Sequence, residues 1–192
     1  MELTLIKRTL LATLLSGGVL SAGGIDGGTV TSGTGYRTGG FIGLKGAMVF
    51  SIQSSIVGLG GGRYLDESYD GSGGSFGVHL GGQEGQWRAT LGYEYFDNDD
   101  AQNFDLFSAE VDYFFLENPG AFQPYIGLVG GYLNYETTNA EDSGGFAYGA
   151  SAGVNIPVGE NIDLDLGLRY LFATQDEVDH IGSVNFSINY FY

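Results

Sequence analysis

Apolar and polar side chains alternate with a period of two along most of this chain from residue 41 onward, and no other sequence feature constrains the fold as strongly. In NIDLDLGLRYLF (161–172), large apolar residues from Ile162 to Phe172 share one face, while Asp163, Asp165 and Arg169 lie on the other. Because successive side chains of a strand point to opposite faces, this pattern indicates β-strands with one apolar face. We find no helical period in this part of the chain.

The alternation recurs in segments of about ten residues, separated by stretches rich in Gly, Asn, Asp and Ser. In the fifth segment, PYIGLVGGYLNYE, both faces are apolar at its start, and we expect Tyr125, Val129, Leu133 and Tyr135 on the outer face. The eight segments are 41–50, 75–80, 86–95, 106–116, 124–136, 146–156, 161–172 and 183–192.

Two architectures fit eight such segments. A soluble sandwich would bury the apolar faces, whereas a membrane barrel would turn them to lipid and keep the polar faces inside. The polar faces combine small residues with isolated charges, which suits a narrow closed lumen. Short turns at 82–86, 117–123 and 157–161 also alternate with longer loops near 54–74, 97–102, 137–145 and 174–182. The sequence therefore predicts an all-β fold over 41–192: an eight-stranded antiparallel, up-and-down transmembrane β-barrel whose lumen is filled by polar side chains.

The first 23 residues have the order of a secretory signal peptide. Lys7 and Arg8 precede an apolar run through Leu20, and small residues follow. An amphipathic helix of the folded domain is the alternative. Residues 24–40 are rich in Gly, Ser and Thr, and we expect them to form a flexible lead-in to the barrel.

Composition and charge limit the possible partners. Gly occurs 35 times and Pro 3 times, and 23 acidic residues face 7 basic ones. A chain this acidic does not favour nucleic-acid binding, which needs basic clusters. The chain has no Cys, so disulfides and thiolate chemistry are excluded.

Charged residues on the polar faces form the main candidate site, because charges inside a dry lumen must pair. One interpretation is a structural plug of salt bridges. The other is a narrow pore, which the acidic excess would make cation-preferring. The predicted lumen charge network consists of Lys45, Arg88, Glu94, Glu110, Asp112, Asp163, Asp165 and Arg169.

Catalytic and metal-binding patterns are weak. Ser75 and Ser151 stand in G-x-S-x-G matches, but no helix follows either one, as a nucleophile elbow requires. His180, beside Asp179 and near Ser183, could imitate a catalytic group, although a solvated loop histidine is the simpler interpretation. The acidic stretch 96–105 lacks the Gly and closing Glu of an EF-hand. We therefore predict no catalytic residues, no cofactor and no metal ligands.

The segments PYIGLVGGYLNYE and NIDLDLGLRYLF, with the terminal SINYFY, resemble the small Gram-negative outer-membrane barrels of the OmpA/OmpX-like and opacity-like superfamily over residues 36–192. The resemblance implies an outer-membrane location, contacts with outer-membrane lipid and lipopolysaccharide, and recognition by the outer-membrane assembly machinery through a terminal aromatic signal, here Tyr190 and Tyr192. Phe is more usual at the last position. No peptidoglycan-binding domain follows Tyr192, so we expect a single barrel, acting as a monomer.

Three functions stay open at this stage. The first is a structural or surface-interaction role, in envelope integrity or in adhesion through acidic external loops to an extracellular ligand that the sequence does not identify. The second is the narrow cation-preferring pore, and the third is a lipid A-modifying barrel enzyme. We expect the protein not to be an enzyme.

Overall fold

In the computed structural model, the described residues 36–53, 73–98, 102–116, 122–137, 143–174 and 180–192 form one closed antiparallel β-barrel. Each strand pairs with its neighbours in chain order, and β1 pairs with β8. The eight strands are β1 (Gly39–Gln53), β2 (Gly73–Glu84), β3 (Trp87–Asn98), β4 (Gln102–Phe114), β5 (Gln123–Thr137), β6 (Ser143–Pro157), β7 (Ile162–Ala173) and β8 (His180–Phe191).

The β1–β8 pairing closes the barrel. It runs from Phe41 opposite Phe191 to Gln53 opposite His180, with one irregularity between Val49 and Ser51. Closure satisfies the edge groups that an open sheet in lipid would leave without partners. We call the end that holds Tyr36 and Tyr192 the terminal end and the opposite end the loop end.

The outer face of the barrel is apolar, as the alternation predicts. Large aliphatic side chains are exposed in its middle, for example Leu128 and Leu168. Aromatic pairs flank this band: Trp87 packs on Tyr113 near the terminal end, and Tyr148 on Phe172 near the loop end. This arrangement is that of a transmembrane barrel, with aromatic girdles at the two interfaces. None of the described residues belongs to a helix that could cross a membrane.

The predicted alternation of short and long connections is wrong at one pair. Between β3 and β4 only residues 99–101 intervene, although a longer loop was expected there, whereas 115–122 separate β4 from β5. The β2–β3 connection is the tight two-residue turn Gly85–Gln86, where Gly85 adopts φ +56°. That left-handed conformation favours Gly. The loop lengths thus carried less information than the side-chain alternation.

The predicted faces are confirmed for the described side chains of seven strands, but that of β5 is wrong. Tyr125, Val129 and Leu133 point into the lumen and are at most 5% exposed, while Ile126 and Leu128 face outward. The Tyr135 side chain lies outside the described residues. The error has two physical reasons. Val129 and Leu133 face the apolar half of the lumen near the loop end, so both faces of β5 are apolar there. Tyr125 carries an apolar ring, but its hydroxyl bonds Asp165 inside the lumen.

The start of the barrel also differs from the prediction. β1 begins at Gly39, and Tyr36 and Arg37 pack against the barrel rather than belonging to a flexible lead-in. The proposed signal peptide and residues 24–35 lie outside the described residues.

Candidate functional site: the charged layer of the lumen

Charged side chains occupy the middle of the lumen, where inward positions of β1, β3, β4 and β7 converge. Six of the eight predicted network residues form two separate clusters of ion pairs. Asp163 pairs instead with Arg37, outside both clusters. Glu110 is partly buried but forms none of the ion pairs found among the described residues.

The first cluster is centred on Glu94 of β3. Arg169 reaches it from β7 with two contacts, Nη1 to Oε1 at 2.5 Å and Nη2 to Oε2 at 2.7 Å. Lys45 Nζ of β1 lies 3.2 Å from Glu94 Oε1. A bidentate guanidinium–carboxylate pair fixes direction as well as distance, so this cluster ties three strands together across the lumen.

The second cluster is centred on Arg88, near the terminal end of β3. Arg88 Nε lies 2.8 Å from Asp112 Oδ2, and its Nη1 lies 2.7 Å from Asp165 Oδ2. Tyr125 OH donates to Asp165 Oδ1 at 2.6 Å, and the guanidinium stands 4.7 Å from the Tyr125 ring centroid. The guanidinium is therefore held in its plane by two carboxylates and on one face by an aromatic ring.

Glycines at inward positions make room for this cluster. A Cβ at Gly127 would overlap the Asp112 carboxylate and Ser151 Oγ, and a Cβ at Gly167 would lie 2.7 Å from Tyr125 OH. The high Gly content therefore has a local cause in the lumen: large charged side chains fit in so narrow a barrel only where facing positions have no side chain.

A small polar cavity of about 40 Å³ remains among the charged side chains. His79 of β2 lies on its wall, with Nε2 2.5 Å from Asn189 Oδ1 of β8 and Phe41 packed edge-on at 6.0 Å. A space of this size holds only a few water molecules.

Apolar side chains close the lumen towards the loop end. Phe96 and Phe104 stack there with ring centroids 4.4 Å apart. The prediction of a polar lumen therefore describes its middle but not this half. The layer, which we call the apolar seal, comprises Val49, Phe96, Phe104, Leu106, Val129, Leu133, Ala147, Leu171 and Ile181.

Aromatic side chains close the terminal end. Phe41 packs against Phe191 at 5.1 Å, and Tyr36 against Phe114 at 5.4 Å. Both mouths of the described barrel are thus filled, and the charged layer lies between them.

Electrostatically, the interior is close to neutral. Arg37, Lys45, Arg88 and Arg169 supply four cations, and Glu94, Glu110, Asp112, Asp163 and Asp165 supply five carboxylates, so the formal excess is one negative charge when all are ionised. The acidic character of the whole chain therefore resides mostly outside the lumen. A pore lined by these groups would carry almost no uncompensated charge.

The candidate catalytic residues do not come together. His180 points outward and stacks on Tyr170 at 5.5 Å, whereas Ser183 points inward and bonds Asn185 at 3.3 Å. Asp179 lies outside the described residues. Ser75 and Ser151 stand on strands beside the carboxylates of Glu94 and Asp112.

The metal-binding possibilities are equally weak in the part of the chain that the structure describes, where no three His, Asp or Glu side chains converge. Asp105, which belongs to the acidic stretch 96–105 and lies on β4, accepts a hydrogen bond from Tyr93 OH at 2.6 Å. Asp99 and Asp100 lie outside the described residues.

Tyr190 and Tyr192, the predicted assembly signal, are both on the outer face at the terminal end and more than half exposed. Their placement is compatible with recognition from outside the barrel. Their role as a signal stays a prediction.

Sequence reasoning missed three residues of the lumen. Tyr36 and Arg37 were included in the lead-in, and Tyr125 was assigned to the lipid face. The one sequence signal for Arg37 is that it is a single basic residue in a Gly-rich stretch. A flexible lead-in gives no reason for a guanidinium at that position.

No protein-family model and no curated protein matches the chain. Solved structures do match its fold. Neisserial surface protein A is 20% identical with a TM-score of 0.64, covering 80% of this chain and 97% of that one.

Two Pseudomonas aeruginosa proteins are also similar. Outer membrane protein H (OprH) is 20% identical with a TM-score of 0.57, and the N-terminal β-barrel domain of OprF is 14% identical with a TM-score of 0.54; each covers 80% of this chain and 99% of its own. The chain therefore has the fold of the small outer-membrane barrels, as the sequence resemblance implied.

Proposed function

We propose that this protein is a non-conducting barrel of a Gram-negative outer membrane, with a structural or surface-interaction role exercised through its position and its external loops. The observation that carries the proposal is the closed lumen: the ion pairs around Glu94 and Arg88 lie between the apolar seal and the aromatic layer at the terminal end. The part of the barrel that the structure describes offers no continuous path for a solute, which leaves the outer face and the loops as the surfaces available for contact.

The location is supported by the apolar outer face with its aromatic girdles and by the similarity in fold to outer-membrane proteins. A first test is electrophoretic mobility in detergent with and without boiling. We expect a faster-migrating unboiled band, because a closed barrel resists the detergent. Solubility without detergent and a single band under both conditions would contradict the membrane location.

A complementation experiment tests the role itself. If the role is envelope integrity, deleting the gene in the source bacterium should increase sensitivity to detergents and large antibiotics. A barrel whose loop 138–142 is replaced by Gly and Ser should then restore resistance. If the role is surface interaction, the same variant should assemble but fail to restore attachment to the target surface. Unchanged detergent sensitivity and unchanged attachment on deletion would contradict the proposal.

Acidic loops favour one mode of surface contact. Residues 54–72 contain Asp66, Glu67 and Asp70 with Arg63 as the basic residue, so direct contact with lipopolysaccharide phosphates would be repulsive. We propose that Mg²⁺ or Ca²⁺ bridges the loop carboxylates and the lipopolysaccharide phosphates. Chelation by EDTA should then reduce binding of the purified barrel to lipopolysaccharide vesicles. Binding that is unaffected by EDTA would contradict this mode.

A further inference from the structure

Two residues ahead of β1 cross the terminal mouth of the barrel. Tyr36 is fully buried, and its hydroxyl donates to the carbonyl oxygen of Leu116, just beyond the end of β4. Burial raises the pKa of the Tyr36 phenol above its ordinary value, so the phenol remains a hydrogen-bond donor at neutral pH. Because β4 is three strands away from β1 in the eight-stranded ring, this contact reaches across much of the opening.

Arg37 fixes the same segment to another part of the rim. Its Nε lies 2.6 Å from Asp163 Oδ1 of β7, and its other nitrogens donate to the carbonyls of Gly159 and Glu160 in the β6–β7 turn. The guanidinium also lies 5.4 Å from the ring centroid of Phe191. Residues 36–37, which we call the strap, are thus held at β4, at the β6–β7 turn and at β8.

Buried polar atoms without partners lie on the neighbouring strands. Gln123 Oε1 on β5, both side-chain polar atoms of Asn155 on β6 and Asp163 Oδ2 on β7 have no hydrogen-bond partner, and the three residues are at most 2% exposed. Gln123 and Asn155 are directly paired in the β5–β6 register. The Asn155 amide lies beside the Asp163 carboxylate without completing a hydrogen bond to it. The three side chains therefore form one buried polar cluster at the terminal end.

The chemistry of this polar cluster indicates what would satisfy it. Three of its acceptor oxygens and one NH₂ group have no hydrogen-bond partner, so the cluster needs donors. Water supplies two donors per molecule and commonly satisfies buried polar groups of this kind. A second cation is less suitable, because Arg37 already pairs with the one carboxylate present.

We propose that the strap is a lid over the buried polar cluster of Gln123, Asn155 and Asp163, that water satisfies this cluster, and that opening the lid admits small solutes to it from the terminal end only. The lid closes by two separate contacts, the Tyr36 hydroxyl on Leu116 and the Arg37 guanidinium on Asp163. The apolar seal keeps the other end closed when the lid opens. This inference goes beyond the proposed structural role, since it gives a buried polar cluster of the barrel one controlled entrance.

The absence of Cys in the chain makes a direct test possible. Asn155→Cys is prepared alone and combined with Arg37→Ala, and each refolded protein is treated in detergent with a small water-soluble thiol reagent. We expect labelling in the Arg37→Ala background to be at least about tenfold faster, because loss of a buried charged contact raises the population of locally open states. Tyr36→Phe, which removes a single hydrogen bond, should give a smaller increase.

Leu133→Cys in the apolar seal is the matched control. Its labelling should stay slow in both backgrounds, which separates lid opening from general unfolding. Equal labelling rates of Asn155→Cys with and without Arg37→Ala would overturn the proposal, as would acceleration of Leu133→Cys by the same factor. If Arg37→Ala does not refold, the comparison is made with Tyr36→Phe, where an unchanged rate would overturn the proposal equally.

Discussion

The two halves of the lumen are built on opposite principles although the same strands form both. Around Arg88 and Glu94 the interior is charged and each contact has a defined direction, while nine apolar side chains fill the half towards the loop end. Ion pairs fix which strands face each other, but burying them costs solvation energy. Apolar packing is non-directional and excludes water. The difference teaches that the charged layer links particular strands across the lumen, whereas the apolar seal excludes water from it.

The largest expected effect tests the charged half. Arg88→Met leaves Asp112 and Asp165 without their common cation, and we expect a loss of about 3–5 kcal/mol in the free energy of unfolding. Urea unfolding of the barrel refolded in lipid vesicles measures it. Lys45→Met is the matched control, because Glu94 keeps both contacts from Arg169. Equal losses of unfolding free energy for the two variants would show that Arg88 contributes no more to the charged layer than Lys45 does.

The next effect tests the apolar half. Leu133→Ala removes a fully buried side chain from the apolar seal, and the resulting cavity should cost about 2–5 kcal/mol. Leu128→Ala, on the same strand but 73% exposed on the outer face, should cost about 1 kcal/mol or less, since no cavity forms. The same urea titration measures the free energy of unfolding of both variants. A larger cost for Leu128→Ala would mean that the face assignment of β5 is wrong.

The smallest effect tests the space that glycine provides between strands. Gly127→Ala places a methyl group against Asp112 and Ser151, and overpacking of this kind typically costs about 1–3 kcal/mol. Gly130→Ala, three residues along the same strand, meets nothing within 4 Å and should change stability by no more than about 0.5 kcal/mol. Both changes in stability are measured from the urea midpoints of unfolding, with the slope of the unfolding free energy against urea concentration held constant. Identical changes in stability for the two variants would contradict the explanation that inward glycines make room for large side chains in the lumen.

The comparison also explains what the sequence could predict. Isolated charges mark the inner face of β7 and β3 unambiguously, so their orientation and most of the charge network follow from alternation alone. In β5 the inner face beside the apolar seal is as apolar as the outer one. The period of two therefore identifies a strand but does not tell which of its faces points into the lumen. Long-range partners were equally hidden: nothing local connects Arg37 with Asp163, which lies 126 residues further along the chain. Nor does anything local show that Glu110 forms no ion pair with the other described residues.

The conductance of the inserted wild-type barrel tests the central claim, a lumen closed from both ends, most directly. Protein that has been shown to insert, by flotation with vesicles and by its heat-dependent mobility, is added to planar bilayers in potassium chloride. The account predicts that the current stays at the baseline of the bare membrane. Reproducible cation-selective steps that increase with the amount of inserted protein would contradict it and would make the charged layer the lining of a pore.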